Sequence, residues 1–277
     1  MGKFENVIIV SDIDGTFLGQ SGRLVPENLE AIEYFKKEGG SFTVATGREH
    51  FLVPPSIPNL ESICNIPLIA CNGAYMYDLQ KEQIVLEEFL PEPEVSRIAE
   101  AARAHSPDVF MRITSEGCYL MEKDVSHIHT WLQPWKDRVR LLPYSETQHG
   151  NWHKIAWTGT PEELTALRPV IDKNLCGGCV SMLACPTILE LQSVKGTKGA
   201  MLSRLKSLIG KENAVLWAIG DYENDELMLQ MADRCAMPAN GIDKLREIPG
   251  IVTVCDHDEG AIAGLIRHIE QELTEAQ

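Results

Sequence analysis

Short apolar runs of the kind that form strands buried on both faces recur along the chain, and polar motifs follow them. Val7–Val10 is a continuous β-branched run. Comparable runs are Phe42–Ala45, Leu68–Cys71 and Ala214–Ile219. Helical patterns lie between these runs. The first of them can begin at Pro26 and end at Gly39-Gly40. Strands that alternate with helices across short loops predict a parallel sheet in a doubly wound α/β arrangement.

The pattern changes near residue 88 and changes back near residue 192. The segment between holds strand patterns suited to a one-sided sheet, such as Trp152–Trp157. It also holds a helix start at Thr160-Pro161, where Thr caps the helix and Pro takes its first position. A one-sided sheet covered by helices is typical of an α+β domain. We therefore predict a core formed by residues 1–87 and 192–277, with an α+β domain, residues 88–191, inserted between the two parts.

The charge of the chain limits its partners. Asp plus Glu number 40 and Lys plus Arg number 25, which gives a net charge of −15. So acidic a chain is not expected to bind nucleic acid or an anionic membrane. No run reaches the ~18 apolar residues of a membrane-spanning helix. The eight cysteines are scattered, as is typical of reduced thiols, and no signal peptide is evident, so we expect a cytoplasmic protein.

Four polar clusters follow the predicted strands or open a predicted helix. They are Asp12 with Asp14, Thr46, Lys198, and Asp221 with Asn224 and Asp225. Open parallel sheets bind ligands beyond the carboxyl ends of their strands, so these clusters should converge at one edge. Carboxylates in one crevice repel each other unless a cation neutralises them, and a sparse set of oxygen donors suits Mg²⁺. Lys and Thr can donate hydrogen bonds to phosphate oxygens.

Taken in order, these motifs resemble those of the haloacid dehalogenase superfamily of phosphohydrolases. The motifs are Asp12-Ile13-Asp14-Gly15-Thr16, Thr46-Gly47-Arg48, Asn72-Gly73-Ala74, Thr197-Lys198-Gly199 and Gly220-Asp221-Tyr222-Glu223-Asn224-Asp225. The insert is similar in position and size to the large α+β cap (type IIB) of Cof-like sugar phosphatases. The resemblance implies a Rossmann-like core with this cap. It also implies a Mg²⁺-dependent phosphatase for a small phosphomonoester, with a sugar phosphate as the expected substrate.

The resemblance also implies roles for single residues. Asp12 would be the nucleophile that forms an aspartyl-phosphate, and Asp14 would protonate the leaving oxygen and then activate water. The metal would take the side chains of Asp12 and Asp221 and the main-chain carbonyl of Asp14. Asp225 would orient the lysine or the metal-bound waters, as Asn224 also could. The residues implied for binding the substrate phosphate are Thr46, Gly47, Lys198 and Asn224.

Two other functions stay open on the sequence. A phosphomutase would use the same scaffold but keep the phosphoenzyme until a second hydroxyl arrived. A metabolite-binding protein would have no turnover, although such a protein has no need of an acid at Asp14. The expected partner in all three cases is a small phosphorylated metabolite. A monomer and a small homo-oligomer are both compatible with the sequence.

Other residues are open to more than one interpretation. Lys195 is an alternative to Lys198, although Lys198-Gly199 ahead of an apolar helix fits the family pattern better. Arg48 could cap a helix or pair with a carboxylate. Asn72 could contact the substrate or simply form an Asn-Gly turn.

The remaining candidates have ordinary structural explanations. Cys176-Gly-Gly-Cys179 lacks the second ligand pair that a zinc site needs. His127, His129, Trp131 and Trp135 could contact a sugar, but partly buried residues of these types are common. The stretch Met237-Pro238-Ala239-Asn240 has Pro where the family often has Gly, which places in doubt any substrate contact inferred there from the resemblance.

Overall fold

The computed structural model describes residues 2–124, 130–147 and 151–275. The chain forms two compact units, residues 1–87 with 197–277 and residues 88–196. The second unit ends at Gly196, shortly after its last strand, which runs to Ser193. Within the described ranges, no helix has both the length and the apolar character needed to cross a membrane.

The secondary structure follows the chain in three stretches. The first part of the first unit contains β1 (Val7–Ser11), α1 (Pro26–Lys37), β2 (Ser41–Val44), α2 (Leu60–Ile63), β3 (Leu68–Ala70), β4 (Tyr75–Asp78) and β5 (Gln83–Glu87). The second unit contains α3 (Glu94–His105), β6 (Phe110–Ser115), β7 (Cys118–Met121), β8 (Val139–Leu141), β9 (Trp152–Thr158), α4 (Pro161–Lys173), β10 (Cys179–Cys185) and β11 (Ile188–Ser193). The last stretch contains α5 (Lys198–Leu208), β12 (Val215–Ile219), α6 (Glu226–Met231), β13 (Arg234–Met237), β14 (Val252–Thr253) and α7 (Ala261–Glu275).

A five-stranded parallel sheet forms the centre of the first unit. Its strand order is β14-β13-β12-β1-β2, and β1 lies inside the sheet with partners on both sides. Ile9, for example, is in register with Trp217 on one side and with Phe42 on the other. The sheet confirms the doubly wound α/β core that the sequence predicts, and it brings the ends of β1, β2 and β12 side by side.

The sheet is covered on both faces, as the continuous apolar sequence of β1 requires. Val7 and Ile9 point to one face, where they join a buried cluster with residues of α1 and α7. Ile8 and Val10 point to the other face, where they join residues of α5 and α6. Successive side chains of a strand point to opposite faces, so β1 supplies both halves of the core.

The third apolar run lies parallel to the end of β2, as predicted, but it also has an antiparallel partner that the sequence did not predict. β3 pairs antiparallel with β4, and β4 with β5, in a separate three-stranded sheet, although one parallel bridge joins Ile69 to Ala45. The antiparallel pairing of β3 with β4 results from the turn after β3. Asn72 and Gly73 there have positive φ angles of 55° and 104°, and the turn returns the chain alongside β3.

The second unit is a six-stranded sheet with the order β10-β11-β9-β6-β7-β8. All pairs are antiparallel except β7 with β8. Its apolar cluster combines Ile98 of α3 and Leu164 of α4 with Ile155 of β9. The start of α4 is fixed by a capping box, in which the Thr160 hydroxyl accepts from the amide of Glu163 over 3.2 Å. The arrangement is the predicted α+β type.

The Cys176–Cys179 segment is a turn that leads into β10. The carboxylate of Glu94 accepts hydrogen bonds from the amides of Cys176 (2.6 Å) and Gly178 (2.9 Å). All eight cysteines, which lie within the described residues, have free thiols. A buried carboxylate that binds main-chain amides therefore explains this turn.

Candidate active site

The first acidic side chain of the site is positioned by the end of β1. Asp12 follows β1 directly, and its amide donates a hydrogen bond to the carbonyl of Ile219 over 2.9 Å. The parallel pairing of β1 with β12 thus continues one residue beyond β1. Asp12 is only 5% exposed. The sheet therefore holds a nearly buried carboxylate at its carboxyl edge, where ligands of such sheets bind.

A buried lysine faces this carboxylate. Lys198 is the first residue of α5, whose start is capped by the hydroxyl of Thr197. Its ammonium donates to Oδ1 of Asp12 over 2.5 Å and to Oδ1 of Asp225 over 2.7 Å, and the side chain is 1% exposed. Lys195, the alternative left open by the sequence, is exposed. The structure therefore brings Lys198 to Asp12.

Asp225 holds both the lysine and the loop that follows β12. Its Oδ1 accepts from Lys198, and its Oδ2 accepts from the amides of Asp221 (3.0 Å) and Tyr222 (3.2 Å). The residue is fully buried. Both oxygens of this carboxylate are therefore engaged by protein donors, and Asp225 fixes where Lys198 and Asp221 lie.

The Asp221 side chain meets the first motif from the other side. The hydroxyl of Thr16 donates to Oδ1 of Asp221 over 2.7 Å. Gly15 packs against the same carboxylate with a φ of +86°, and a Cβ at this position would overlap Oδ2 of Asp221. Only glycine combines this backbone conformation with so close an approach. Gly15 and Thr16 together therefore seat Asp221 beside the Asp12 loop.

The three carboxylates form a cluster with an excess of negative charge. One oxygen each from Asp12, Asp221 and Asp225 lies within 4.8 Å of the others. Three carboxylates and the ammonium of Lys198 sum to −3 + 1 = −2. Charge of this kind in a buried place is costly unless it is neutralised by protons or by a cation.

The pKa values of these groups respond to the excess charge. Burial raises the pKa of Asp12 well above its usual range, and the neighbouring Asp225 carboxylate raises it further. Burial and Asp225 likewise raise the pKa of Asp221 to about 7. Burial alone would lower the pKa of Lys198, but attraction to Asp12 and Asp225 outweighs burial and raises it. The lysine therefore stays charged, while the acids retain protons or attract a cation.

The donor set fits a divalent metal ion. A charge of −2 is the charge that one divalent cation neutralises, and carboxylate oxygens are the hard donors that Mg²⁺ prefers. Since Asp225 already has both oxygens engaged, the carboxylates best placed for an ion are those of Asp12 and Asp221.

The carboxylate of Asp14 has a different partner. Arg48 donates from Nε to Oδ2 of Asp14 over 2.9 Å and from Nη2 to Oδ1. The side chain of Asp14 is 57% exposed, in contrast to the three clustered acids. The sequence left open whether Arg48 caps a helix or pairs with a carboxylate. The structure shows it paired with the residue for which an acid–base role is expected.

The second motif and the loop after β3 are joined by hydrogen bonds. Thr46 is 1% exposed, and its carbonyl accepts from the amide of Asn72 over 2.8 Å. Oδ1 of Asn72 accepts from the side chain of Asn224 over 3.1 Å. A Cβ at Gly47 would lie 3.1 Å from the side-chain nitrogen of Asn72. Asn72 therefore joins Thr46 and Asn224, two of the residues expected to bind phosphate, and lies close to a third, Gly47.

Two residues that shape the site were not predicted from the sequence. Thr16 belongs to the first motif, but no role was predicted for its hydroxyl, which binds Asp221. Asn240 donates from Nδ2 to the carbonyl of Gly15 over 2.8 Å, and its Oδ1 accepts from the amide of His257 over 3.1 Å. A signal for Asn240 was available, because it ends the stretch that departs from the family pattern.

The aromatic and histidine residues of the insert gain no assigned role from these contacts. His127 and His129 lie outside the described residues, as does the side chain of Trp131. Trp135 is half-buried. A sugar contact through any of them stays a prediction.

The fold and the clustered acids define a doubly wound α/β enzyme with an acidic centre that can hold a metal ion. The chain belongs to the haloacid dehalogenase-like hydrolase family, whose sequence profile matches residues 9–266. The match includes all four residues of the charged cluster, namely Asp12, Lys198, Asp221 and Asp225. The family assignment makes the chain a hydrolase and confirms the resemblance seen in its motifs.

The chain is similar to proteins named as phosphatases and to solved structures of the same family. The pyridoxal phosphate phosphatase YbhA of Escherichia coli (strain K12) is 24% identical over 270 residues, which cover 94% of this chain and 97% of that protein. A haloacid dehalogenase-like hydrolase from B. subtilis has a similar structure, with a TM-score of 0.79, 19% identity, and coverage of 95% and 99%. A subclass IIB sugar phosphatase of the same superfamily gives a TM-score of 0.74 at 19% identity, with coverage of 95% and 98%.

Proposed function

We propose that the chain is a Mg²⁺-dependent phosphatase that hydrolyses a small phosphomonoester, with a sugar phosphate as the expected substrate, through an aspartyl-phosphate on Asp12. The observation that carries the proposal is the contact of the nearly buried Asp12 with the buried ammonium of Lys198. This contact lies inside a cluster whose net charge is −2 when its three acids are ionised. The relatives named phosphatases support the reaction class. They act on pyridoxal phosphate and on sugar phosphate, both small metabolites.

Asp12 is the nucleophile of the proposed reaction. Its carboxylate oxygen forms a bond to phosphorus as the bond from phosphorus to the leaving oxygen breaks. Lys198 already donates to Oδ1 of Asp12, and its charge can be shared between the nucleophile and the phosphoryl oxygens. Asp225 keeps the ammonium in this place. Water then attacks the phosphorus of the aspartyl-phosphate, which releases phosphate and restores Asp12.

The metal would be held by Asp12, by Asp221 and by the main-chain carbonyl of Asp14. When bound, Mg²⁺ supplies the positive charge that lets a carboxylate approach a phosphate dianion. Thr16 and Gly15 hold the Asp221 carboxylate on this side of the cluster. The protein's part is thus to fix two carboxylates so that little reorganisation is needed when the ion binds.

Asp14 moves the protons of the proposed reaction. An alkoxide leaves poorly unless it is protonated, so Asp14 gives its proton to the leaving oxygen in the first step. In the second step the resulting carboxylate takes a proton from the attacking water. The exposed position of Asp14, outside the buried cluster, suits a group that exchanges protons with substrate and water.

The transferred phosphoryl group would be bound by the residues around Asn72. Thr46 and Gly47 follow β2, next to the end of β1, and Asn224 is tied to them through Asn72. Hydroxyl, amide and main-chain N–H donors suit phosphoryl oxygens. Lys198 completes this set with the only charge among them.

A phosphate-release assay tests the proposed function. Purified protein with Mg²⁺ is given p-nitrophenyl phosphate, pyridoxal phosphate and a panel of sugar phosphates, with and without excess EDTA. The proposal predicts hydrolysis of the aryl ester and of at least one metabolite, and loss of both with EDTA. Full activity in EDTA would rule out the metal.

The same assay separates the two other functions. Conversion of a hexose phosphate to an isomer faster than to free phosphate would identify a phosphomutase. Binding of panel members without any product would identify a metabolite-binding protein. Either result would contradict the proposed phosphatase.

A further inference from the structure

Arg48 and Asp14 form a two-point ion pair beside the acidic cluster. Nε of Arg48 donates to Oδ2 of Asp14 over 2.9 Å, and Nη2 donates to Oδ1. A guanidinium that contacts both oxygens fixes the plane of the carboxylate as well as its position. A single ammonium at the same place would fix only a distance.

Arg48 is itself anchored at several points. Its amide donates to the hydroxyl of Thr46 over 3.1 Å, and its carbonyl accepts from the amide of Cys71 over 2.8 Å. Its third nitrogen, Nη1, donates to the hydroxyl of Ser56 over 2.6 Å. The main chain of Arg48 is therefore fixed by its own loop, and its guanidinium is fixed by Ser56. An arginine held at both ends restricts the positions that the paired Asp14 carboxylate can take.

The pair is not placed where it would matter for folding. The two side chains are 26% and 57% exposed, and ion pairs in contact with water contribute little to stability. An exposed aspartate without a partner would sample several rotamers. The effect of the pair is therefore on the orientation of Asp14.

We propose that Arg48 is a positioning residue that holds Asp14 in the orientation for proton transfer. The inference rests on the proposed function, because it assigns Arg48 to the acid–base step of that reaction. A carboxylate offers about four lone-pair sites and the fork of Arg48 uses two, so each oxygen keeps one site for a proton or a water. Arg48 exchanges no proton itself, since guanidinium stays protonated in proteins.

The test compares two esters of similar size whose leaving groups differ in basicity. Benzyl phosphate releases an alkoxide and needs the acid, whereas p-nitrophenyl phosphate releases a stable phenolate and needs it much less. With Mg²⁺ present, Arg48→Met should lower kcat for benzyl phosphate by ~30-fold and kcat for p-nitrophenyl phosphate by less than ~3-fold. KM should change by less than ~2-fold for both esters, because Arg48 is not assigned to phosphate binding.

Three further variants sharpen the test. Arg48→Lys keeps the charge but loses the fork, so the loss for benzyl phosphate should remain at ~10-fold. Ser56→Ala removes one anchor of the guanidinium and should cost ~3-fold on benzyl phosphate alone. Arg103→Met is the matched control, because Arg103 also contacts both oxygens of a carboxylate, that of Glu122, and should leave both esters unchanged. If Arg48→Met fails to fold, Arg48→Lys and Ser56→Ala still allow the two esters to be compared.

Equal losses for the two esters would overturn the inference. Equal losses with a raised KM would assign Arg48 to substrate binding, and equal losses with a lowered melting temperature would assign it to structure. A wild-type protein that hydrolyses neither ester would overturn the proposed function and this inference with it. An active wild type with equal losses would overturn the inference alone.

Discussion

At the scale of single residues, the site depends on one buried ammonium among three acids. Lys198 is 1% exposed and contacts two carboxylates, so its removal would leave Asp12 and Asp225 without their cation. Breaking a buried ion pair is far more costly than never having formed it. The same lysine is expected to share charge with the transferred phosphoryl group. Stability and catalysis therefore depend on the same side chain.

Replacing this lysine tests both roles. Lys198→Met should lower the unfolding free energy by about 3 kcal/mol in metal-free buffer and phosphatase activity by at least ~100-fold. Lys195→Met is the matched control, three residues earlier and exposed, and should change neither quantity appreciably. Denaturant unfolding and phosphate release measure the two effects. If the two variants had the same unfolding free energy and the same phosphatase activity, the contact between Lys198 and Asp12 would contribute to neither.

Some residues of the site could be predicted from the sequence because a motif names a residue type at a fixed place. Asp12, Lys198 and Asp225 come together, as their positions after strands and at a helix start predict. Arg48 could not be assigned, because an arginine after a strand has many possible partners and its choice of Asp14 depends on the loop geometry. Thr16 was missed for the same reason, since hydroxyls commonly bind neighbouring backbone.

At the scale of elements, the loops after the strands decide the geometry of the site. Gly15 adopts a φ of +86° against the Asp221 carboxylate, and Asn240 holds the Gly15 carbonyl from a third loop. The acids can meet only if these loops approach closely. A side chain at residue 15 would separate them.

Two glycines with similar backbone angles isolate this effect. Gly15→Ala should abolish activity, because its Cβ would overlap Asp221, and it should also lower the melting temperature. Gly22→Ala is the matched control, since Gly22 has a φ of +75° but no atom within 4 Å of the place that a Cβ would take. That variant should lose only about 1 kcal/mol, from backbone strain, and keep its activity. If both variants remain fully active, close approach at residue 15 is not required.

The elements that the sequence did not predict are those with weak patterns. β13 has the sequence Arg-Cys-Ala-Met over Arg234–Met237, without the β-branched residues that mark buried strands. β3 was recognised as a strand, but its antiparallel partner depends on the turn at Asn72-Gly73. By contrast α1 begins at Pro26 and ends just before Gly39-Gly40, as the sequence predicts.

At the scale of the whole molecule, the fold gathers acids from distant parts of an already acidic chain. Asp12 and Asp221 are more than 200 positions apart, yet one oxygen of each lies within 4.8 Å of the other. The metal-free folded state must therefore keep protons that the unfolded chain would release. Stability should depend on pH and on divalent cations together.

The direction of the pH effect follows from Asp221. Folding raises the pKa of this acid from 3.8 to about 7, so between these values the folded chain binds more protons than the unfolded chain. Stability of the metal-free protein should therefore fall as pH rises through this range, and the melting temperature in EDTA should be lower at pH 8 than at pH 6 by ~3 °C. Mg²⁺ should stabilise more at pH 8, because it replaces the protons.

The control for this experiment is Asp221→Asn, which removes the titrating group. Its melting temperature should depend less on pH in EDTA and should respond less to Mg²⁺. A wild-type melting temperature that rises from pH 6 to pH 8 in EDTA would contradict the account of the cluster. So would equal stabilisation by Mg²⁺ at the two pH values.

The prediction of two flanks and an insert rests on patterns that recur along the chain. Strands covered on both faces mark the two flanks, and one-sided strands mark the insert. The boundary after the insert was less clear, since the apolar residues of β11 end at Leu191 while the strand continues through the polar Gln192 and Ser193. The substrate was not predictable, because residues that contact a leaving group follow no fixed motif.

The central claim is that Asp12 carries the phosphoryl group during turnover. The protein is mixed with p-nitrophenyl phosphate and Mg²⁺, quenched in acid within the first turnovers, digested, and sequenced by mass spectrometry. The account predicts a phosphoryl group on Asp12, lost in Asp12→Asn together with turnover and retained in the exposed control Asp243→Asn. A phosphoryl group on another residue, or undiminished turnover by Asp12→Asn, would contradict it.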